Sequence, residues 1–388
     1  MATANVTDGA PRNIVVLCDG TSNQVEGDLS NVLKLYRIAD QSTLQRVFYD
    51  PGVGTIGNDN SWGRLRQKVV SVLSMASGAG LDDNILRAYG FLCENFRRGD
   101  RIFMFGFSRG AYTVRALAGL IHMVGLLRPD QINLSGFALN AYKHAAERDD
   151  LHVAWDFARV MRSQTVSIHF VGVWDTVASM IVPRPDRFYI PSLRQLPYTR
   201  VNPSVRAFRH AMAIDERRRM FRLNHWMDGQ DFVQFPFARP LTSVKQDCRQ
   251  LWFAGNHSDV GGGYPETVSG LSKLPLDWMI REAEADGLRI DRAMFQHLVH
   301  GQQLKDGRHD YVPPDPMGPL HDALKGGWWI LEWFPKRLKW KETRRFSLLG
   351  LYLPRGERRA IPVGSQFAPS VAVREKADPK YRPQDQIR

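Results

Sequence analysis

Residues 101–124 read RIFMFGFSRGAYTVRALAGLIHMV, and this stretch decides the fold. An apolar run, Arg101–Phe105, leads through the motif GFSRG at 106–110 into an alanine-rich run with helical spacing, Ala111–Val124. A strand, a sharp glycine turn and a helix are the setting in which a G-x-S-x-G motif forms a nucleophile elbow. Glycines two before and two after the serine relieve the crowding of that strained turn. The stretch predicts Ser108 as a nucleophile, and an incidental serine in a plain strand-turn-helix connection is the alternative.

Apolar runs alternate with helical patterns on both sides of this stretch. Helical spacing predicts a helix at Leu81–Phe96, which ends at Arg97-Arg-Gly-Asp100. Short apolar runs rich in β-formers predict strands at Asn13–Cys18, Gln45–Tyr49, Arg101–Phe105, Val166–Val173 and Gln250–Ala254. Strands separated by helices favour a mainly parallel central sheet with helices on both faces. The predicted fold class is α/β, α/β-hydrolase-like, with insertions that form a lid or cap.

A serine nucleophile requires a base and a group that orients the base. In α/β-hydrolases the chain order is serine, acid and then histidine. Asp175 and His257 each follow a predicted strand, and the carboxyl ends of parallel strands meet at the edge where Ser108 lies. We therefore expect Asp175 to orient His257, and His257 to take the Ser108 proton. Capping of a chain turn is the alternative role for Asp175.

Other histidines compete with His257 for the role of base. His169 lies inside a strand pattern and is expected to be packed, whereas His210 is a stronger rival because Asp215 follows it closely. His257 is favoured because the glycine-rich segment 259–264 follows it, and glycine lets the backbone approach a ligand.

An oxyanion intermediate requires two backbone N–H donors. Arg109, the residue after the nucleophile, is expected to supply one of them. The loop after the first strand, through Gly20 and Thr21, is expected to supply the second. A plain turn capped by Asp19 or Thr21 explains that loop nearly as well.

Five segments of the chain occur in a characteristic order: DGTSN at 19–23, GFSRGAYTVR at 106–115, GVWDTVAS at 172–179, RHAMAIDERR at 209–218 and WFAGNHSDVGGGY at 252–264. Together they resemble the α/β-hydrolase family that includes the type VI secretion phospholipase effectors of Gram-negative bacteria. The resemblance implies an α/β-hydrolase fold and a triad of Ser108, Asp175 and His257 that hydrolyses phospholipid esters. It also marks further motif positions as possible supporting residues, namely Asp19, His210, Asp215 and Asp259.

The predicted function is a serine ester hydrolase, a phospholipase or lipid esterase that forms an acyl-enzyme and requires no cofactor and no metal. Two alternatives stay open. A metal-dependent phosphoesterase would use Asp19, His257 and Asp259, since carboxylates and imidazoles bind divalent ions. The second alternative is a binding protein that has the hydrolase fold but no catalytic activity, because fold does not determine function.

The composition of the 388 residues is typical of a soluble globular protein, with 43% hydrophobic and 24% charged residues. No apolar stretch approaches the ~18–20 residues that cross a bilayer, and no Sec signal is visible. The three cysteines form no disulfide framework or metal motif, which favours a reducing compartment. The predicted location is cytoplasmic, with export by a specialised secretion system left open.

The chain is expected to divide into a flexible N-terminus (1–12), a catalytic domain (13–325) with an insertion near 183–245, a Trp-rich basic segment packed on the domain (326–376) and a disordered tail (377–388). Residues 331–388 contain 14 Lys/Arg and 6 Asp/Glu. This surplus suits an anionic membrane surface or nucleic acid, and a solvated charged surface explains it about as well. The chain has no recognisable nucleic-acid-binding motif, so no nucleic acid partner is expected. The tryptophans of 328–340 suit peripheral membrane contact, although packing over the core is favoured because tryptophan is usually mostly buried.

Overall fold

The computed structural model describes residues 11–20, 28–52, 80–148, 152–177, 181–183, 191–193, 196–218, 220–234, 242–304, 309–326, 328–337, 347 and 350–387. Its strands are β1 (Asn13–Cys18), β2 (Gln45–Asp50), β3 (Arg101–Phe107), β4 (Ile168–Trp174), β5 (Ile181–Pro183), β6 (Pro191–Leu193), β7 (Val205–Ala213), β8 (Asp231–Phe232), β9 (Val244–Lys245), β10 (Asp247–Phe253), β11 (Lys336–Arg337), β12 (Leu351–Tyr352) and β13 (Gln366–Phe367). Its α-helices are α1 (Asn31–Ile38), α2 (Leu81–Asn95), α3 (Arg109–Val124), α4 (Ser135–Arg148), α5 (His152–Met161), α6 (His257–Gly261), α7 (Gly270–Ala285), α8 (Arg292–His300), α9 (Trp328–Glu332) and α10 (Pro369–Ala377). None of the helices in these ranges is long and apolar enough to cross a membrane.

Seven parallel strands form the central sheet, in the order β13-β10-β7-β4-β3-β1-β2. The α/β class and the mainly parallel sheet predicted from the sequence are confirmed. Strand β2 lies on one side of β1, and β3 lies on the other side of β1. The direction in which successive strands are added to the sheet therefore reverses between β1 and β3. Ligands of open α/β sheets bind outside the carboxyl ends of the strands at such a reversal.

The side chains of β1 alternate between two hydrophobic clusters on opposite faces of the sheet. Ile14 and Val16 pack in the cluster that includes α2 and α3, whereas Val15 and Leu17 pack in the cluster that includes α1 and α7. All four side chains are fully buried. A strand that is buried on both faces requires an unbroken apolar run, which is why the sequence predicts this strand correctly.

Strand β7 lies between β4 and β10, within the region 183–245 that was predicted as an insertion. That part of the domain prediction is wrong. The strand pattern is interrupted by Arg209, whose guanidinium is 2.6 Å from a carboxylate oxygen of Asp247 and 2.5 Å from one of Glu282. Because both partners are distant in sequence, the strand's own pattern does not reveal that this charge is neutralised.

The C-terminal residues are part of the fold rather than a disordered tail. Strand β13 pairs with β10 at the sheet edge, and Ile361 pairs with Ile387. Tyr381 is buried and donates a hydrogen bond of 2.8 Å to Asp215. The prediction of disorder from residue 377 is therefore wrong, because a few buried side chains anchor a segment whose composition is polar.

Two glycines permit the close approach of β3, α3 and β1 beside Ser108. A Cβ atom on Gly110 would lie 2.0 Å from the carbonyl oxygen of Cys18, and one on Gly106 would lie 2.5 Å from the carbonyl oxygen of Gly110. Both distances are far below van der Waals contact with backbone atoms that cannot rotate away. The G-x-S-x-G motif thus meets a packing requirement of the sheet at this position.

We predict that Gly110→Ala lowers the free energy of unfolding by about 3 kcal/mol or more, because the added methyl group forces the backbone apart. The matched control is Gly136→Ala in α4, where a Cβ atom would meet no atom within 4 Å. In that variant the free energy of unfolding is expected to stay the same or to rise by up to roughly 1 kcal/mol, since alanine suits a helix better than glycine. Urea unfolding followed by circular dichroism measures both changes, and equal effects of the two variants would contradict the packing argument.

Candidate active site

Ser108, Asp175 and His257 follow β3, β4 and β10 at one edge of the central sheet. The backbone N–H of Ser108 donates to the carbonyl oxygen of Trp174, at 3.1 Å, which joins the ends of β3 and β4. Nδ1 of His257 lies 2.5 Å from Oδ2 of Asp175, across 82 residues of sequence. The structure therefore brings the predicted acid and base into contact, beside the strand end that carries Ser108.

The backbone of Ser108 is held in a strained conformation, with φ 58° and ψ −119°. A non-glycine residue adopts a positive φ at an energetic cost. Arg109 then begins α3, and the first turn of a helix favours negative charge through its dipole and its amide N–H groups. The side chain of Arg109 has its pKa lowered by burial to about 10, so it remains a cation at neutral pH.

The loop after β1 approaches Ser108 at Gly20. A Cβ atom there would lie 3.3 Å from Cβ of Ser108. The N–H of Gly20 donates to Oδ1 of Asp19, at 2.7 Å. Thr21 lies outside the described residues. The loop is thus where the sequence predicts it, and its oxyanion role stays a prediction.

Asp175 is fully buried, and its backbone φ of 38° is again positive. Its carboxylate accepts hydrogen bonds from the N–H of Ala213 (2.9 Å) and from both terminal nitrogens of Arg359 (2.6 and 2.9 Å), in addition to its contact with His257. Burial favours the protonated acid, but the Arg359 cation and the His257 bond outweigh it and hold the pKa of Asp175 well below its usual range. The acid therefore stays ionised.

His257 is packed between two aromatic rings. The centre of the Phe107 ring lies 4.6 Å from the centre of the imidazole. The centre of the Phe221 ring lies 4.7 Å from it, and these two rings meet edge to face. Burial lowers the pKa of His257, and the hydrogen bond that Asp175 accepts from His257 opposes this shift without cancelling it. At neutral pH the imidazole is uncharged and able to accept a proton.

The backbone around His257 is fixed by a capping box at the start of α6. The side chain of Asn256 accepts from the N–H groups of Ser258 and Asp259 (2.9 and 3.1 Å), and Asp259 accepts from the Asn256 N–H (2.9 Å). This arrangement satisfies amide groups at the helix start. Asp259 also contacts Nδ1 of His321, at 2.6 Å. The motif position Asp259 therefore holds the loop that carries His257.

The glycine-rich segment after His257 accommodates a side chain of the protein itself. A Cβ atom on Gly261 would lie 1.9 Å from the ring of Phe107, the residue before the nucleophile. The glycine thus lets the ring of Phe107 reach the imidazole. The sequence predicted that glycine here serves close approach to a ligand, whereas in the structure Gly261 serves the packing of the site.

Two further motif positions support the loops from the side. Nε2 of His210 accepts from the N–H of Thr176, at 3.2 Å, directly after the acid. Burial lowers the pKa of His210 well below its ordinary value, which keeps the ring neutral. Asp215 accepts from the N–H of Gly255, at 2.8 Å, and so joins the end of β7 to the loop of His257.

The three residues of the metal-dependent alternative have separate partners. Oδ2 of Asp19 accepts from the hydroxyls of Ser30 and Tyr49, the latter at 2.9 Å. His257 contacts Asp175, and Asp259 contacts His321. Within the described ranges, no group of three or more His, Cys, Asp or Glu side chains is placed to hold a metal ion. The geometry gives the alternative no support.

Sequence reasoning missed three charged residues around the acid and base. Glu216 accepts from the His257 N–H, at 3.2 Å, and is paired with Arg218, at 2.7 Å. Both lie in the segment RHAMAIDERR, so the signal was present. Arg359 gave no such signal, because it lies in a basic stretch that looks like charged surface.

Comparison with known proteins identifies the family. A family model described as "T6SS, Phospholipase effector Tle1-like, catalytic domain" matches residues 12–282. The chain is similar to an uncharacterized protein of Saccharomyces cerevisiae, at 34% identity over an alignment of 428 positions that covers 78% of this chain and 61% of that protein. It is also similar to a crystal structure of an uncharacterized protein from Pseudomonas aeruginosa (18% identity, TM-score 0.37, 74% of this chain and 47% of that one). A further similar structure is the Tle1 effector bound to the VgrG spike of the type 6 secretion system (20% identity, TM-score 0.32, 68% and 53%).

The chain spans less than two thirds of the length of each of these relatives. The family match nevertheless covers most of the chain, from the residue before β1 to the last turns of α7. The chain belongs to the family of Tle1-like phospholipase effector catalytic domains.

Proposed function

We propose that this chain is a serine hydrolase that cleaves carboxylic esters of lipids, with phospholipids as the substrate class, through an acyl-enzyme on Ser108. The observation that carries the proposal is the 2.5 Å contact between His257 Nδ1 and Asp175 Oδ2, next to the strand end that bears the strained Ser108. Membership of a phospholipase effector family supports a lipid substrate.

The geometry supports the following sequence of steps. Nε2 of His257 takes the proton of the Ser108 hydroxyl while Oγ attacks the ester carbonyl carbon. The negative charge that forms on the carbonyl oxygen faces the first turn of α3, where the N–H of Arg109 is the proposed donor. The intermediate collapses to the acyl-enzyme, and the alcohol leaves with the proton from His257. Water then attacks the acyl group with His257 as base, which releases the carboxylic acid and regenerates Ser108.

Ser108→Ala and Asp175→Asn are each expected to lower kcat by roughly 10³-fold or more, because the nucleophile or the orientation of the base is lost. Initial rates on a soluble p-nitrophenyl ester and on phosphatidylcholine vesicles measure the effect. Ser42→Ala, which changes an exposed serine, is the matched control and is expected to match wild type.

Three results would count against this proposal. Full activity of Ser108→Ala would remove the nucleophile assignment. Loss of activity on treatment with a chelator, together with survival of Ser108→Ala, would favour the metal-dependent phosphoesterase. Failure of folded wild-type protein to react with a fluorophosphonate probe at Ser108 would favour a non-catalytic binding protein.

The lowered pKa of His257 determines the expected pH dependence. The base acts only in its neutral form, and burial lowers its pKa from the ordinary value of 6.5. Activity is therefore retained at neutral pH and lost as the pH falls through the lowered pKa. We predict that the acid limb of kcat/KM on a neutral ester has its midpoint below pH 6.5. A midpoint above that value would contradict the buried, neutral base.

We further propose that an exposed aromatic face at residues 329–334 contacts the lipid surface. Ile330, Trp333 and Phe334 are 66%, 57% and 58% exposed. The sequence favoured packing of the tryptophans of 328–340 over the core, and this does not hold for Trp333. The guanidinium of Arg355 lies 5.0 Å from the ring centre of Trp333. Tryptophan beside cationic groups suits the interface of an anionic bilayer.

This aromatic face borders the candidate site. The ring of Trp328, at the start of α9, meets the ring of Phe221 at 5.6 Å, edge to face. Phe221 in turn contacts His257. Phe221 therefore links α9 to the proposed base, so a bilayer on the aromatic face would lie on the side of the site from which an ester could reach Ser108.

The double variant Trp333→Ser/Phe334→Ser is expected to lower binding to anionic phospholipid vesicles by about tenfold or more, since two apolar side chains no longer leave water. Its activity on a soluble ester is expected to stay unchanged. Vesicle sedimentation and parallel assays measure the two quantities. Phe137→Ser is the matched control, because Phe137 is 64% exposed on α4. Equal losses of vesicle binding in both variants, or no loss in the double variant, would exclude this face as the lipid contact.

A further inference from the structure

We propose that Arg359 is a positioning residue of the active site, which locks the carboxylate of Asp175 in the orientation that holds His257. Arg359 lies beyond the family-matched residues 12–282, so the catalytic machinery would be completed by the C-terminal segment 350–387. This inference rests on the function proposed above, in which Asp175 and His257 act together.

The guanidinium of Arg359 contacts both oxygens of Asp175. One terminal nitrogen donates to Oδ1, at 2.6 Å, and to the carbonyl oxygen of Ala213, at 3.0 Å. The other donates to Oδ2, at 2.9 Å, and to the carbonyl oxygen of Phe221, at 2.7 Å. A planar fork that binds both carboxylate oxygens prevents the carboxylate from rotating. The same fork also ties the end of β7 and the loop of Phe221 to the acid.

Burial makes this contact necessary. Asp175 has no exposed surface, and the side chain of Arg359 is only 10% exposed. A buried carboxylate costs free energy unless it is paired and hydrogen-bonded. Apart from the bonds of Arg359, Asp175 accepts hydrogen bonds from the Ala213 N–H and from His257. Without the guanidinium the carboxylate would lose the two hydrogen bonds that Arg359 donates and would no longer be held against rotation.

Arg359 also sets the charge that His257 experiences. The charged groups around the imidazole form two ion pairs, Asp175 with Arg359 and Glu216 with Arg218. With the imidazole neutral, these four groups sum to no net charge. Loss of Arg359 leaves an excess negative charge beside His257, which favours the imidazolium and raises the pKa of the base. A residue that only filled space would not produce this change.

The C-terminal segment is fixed well enough to carry such a role. Its strand β13 pairs with β10, the strand that leads to His257. The N–H of Ile361, two residues after Arg359, donates to the carbonyl oxygen of Gln386 at 2.9 Å. Nε of Arg217 donates to the carbonyl oxygen of Gly356, also at 2.9 Å. The contact at Gly356 offers a control, because Arg217 holds the same segment without touching Asp175.

The test compares Arg359→Met, Arg359→Lys and the control Arg217→Met on a soluble p-nitrophenyl ester across the pH range. Arg359→Met is expected to lower kcat by roughly tenfold to a hundredfold, with little change in KM, and to move the acid limb up by about one pH unit or more. Arg359→Lys keeps the charge but not the fork, so its kcat falls while its acid limb stays near that of wild type. Arg217→Met is expected to change neither quantity.

An unmoved acid limb in folded Arg359→Met would overturn the proposal, as would equal losses of kcat in Arg359→Met and Arg217→Met. If Arg359→Met does not fold, Arg359→Ala assayed with added guanidinium ion gives the second measurement. Recovery of rate with guanidinium, and none with sodium at equal ionic strength, supports the positioning role, and absence of recovery in folded protein contradicts it. Full activity of Ser108→Ala would instead refute the proposed function, which keeps the two failures distinct.

Discussion

The buried carboxylate of Asp175 is the constraint on which the arrangement of the site depends. An ionised acid with no exposed surface is stable at the end of a central strand only if donors of the protein satisfy it. Those donors come from three different parts of the chain, namely β7 through Ala213, α6 through His257 and the C-terminal segment through Arg359. To satisfy one charge, the fold must bring these parts to a single point.

The same edge of the sheet bears a second constraint, which is space. The turn at Ser108 fits beside β1 only because Gly110 lacks a side chain, and Phe107 fits beside the imidazole only because Gly261 lacks one. The strained φ of Ser108 adds a local cost that the buried sheet must offset. Ser108, Asp175 and His257 are thus held by packing and by hydrogen bonds within the protein.

These two constraints explain how much the sequence could predict. Strands such as β1 are buried on both faces and give unbroken apolar runs, and the glycines at 106 and 110 reveal the elbow, so sheet class and the pairing of Asp175 with His257 could be predicted. Strand β7 escaped prediction because Arg209 is neutralised only by Asp247 and Glu282, which no local pattern indicates. The C-terminal anchoring escaped for the same reason, since Tyr381 and Asp215 are 166 residues apart.

The surplus of basic residues at the C-terminus shows why charge counts misjudge function. A count treats every arginine of 331–388 alike, as surface that suits an anionic partner. In the structure Arg359 is committed to Asp175, and Arg374 is buried and donates to the carbonyl oxygens of Pro316 and Gly318. Arg355, by contrast, lies over the exposed ring of Trp333, where a lipid headgroup could reach it. In this basic stretch Arg359 is a buried counter-charge, Arg374 is a buried donor to backbone carbonyls and Arg355 is an exposed cation, so a count of charges cannot distinguish them.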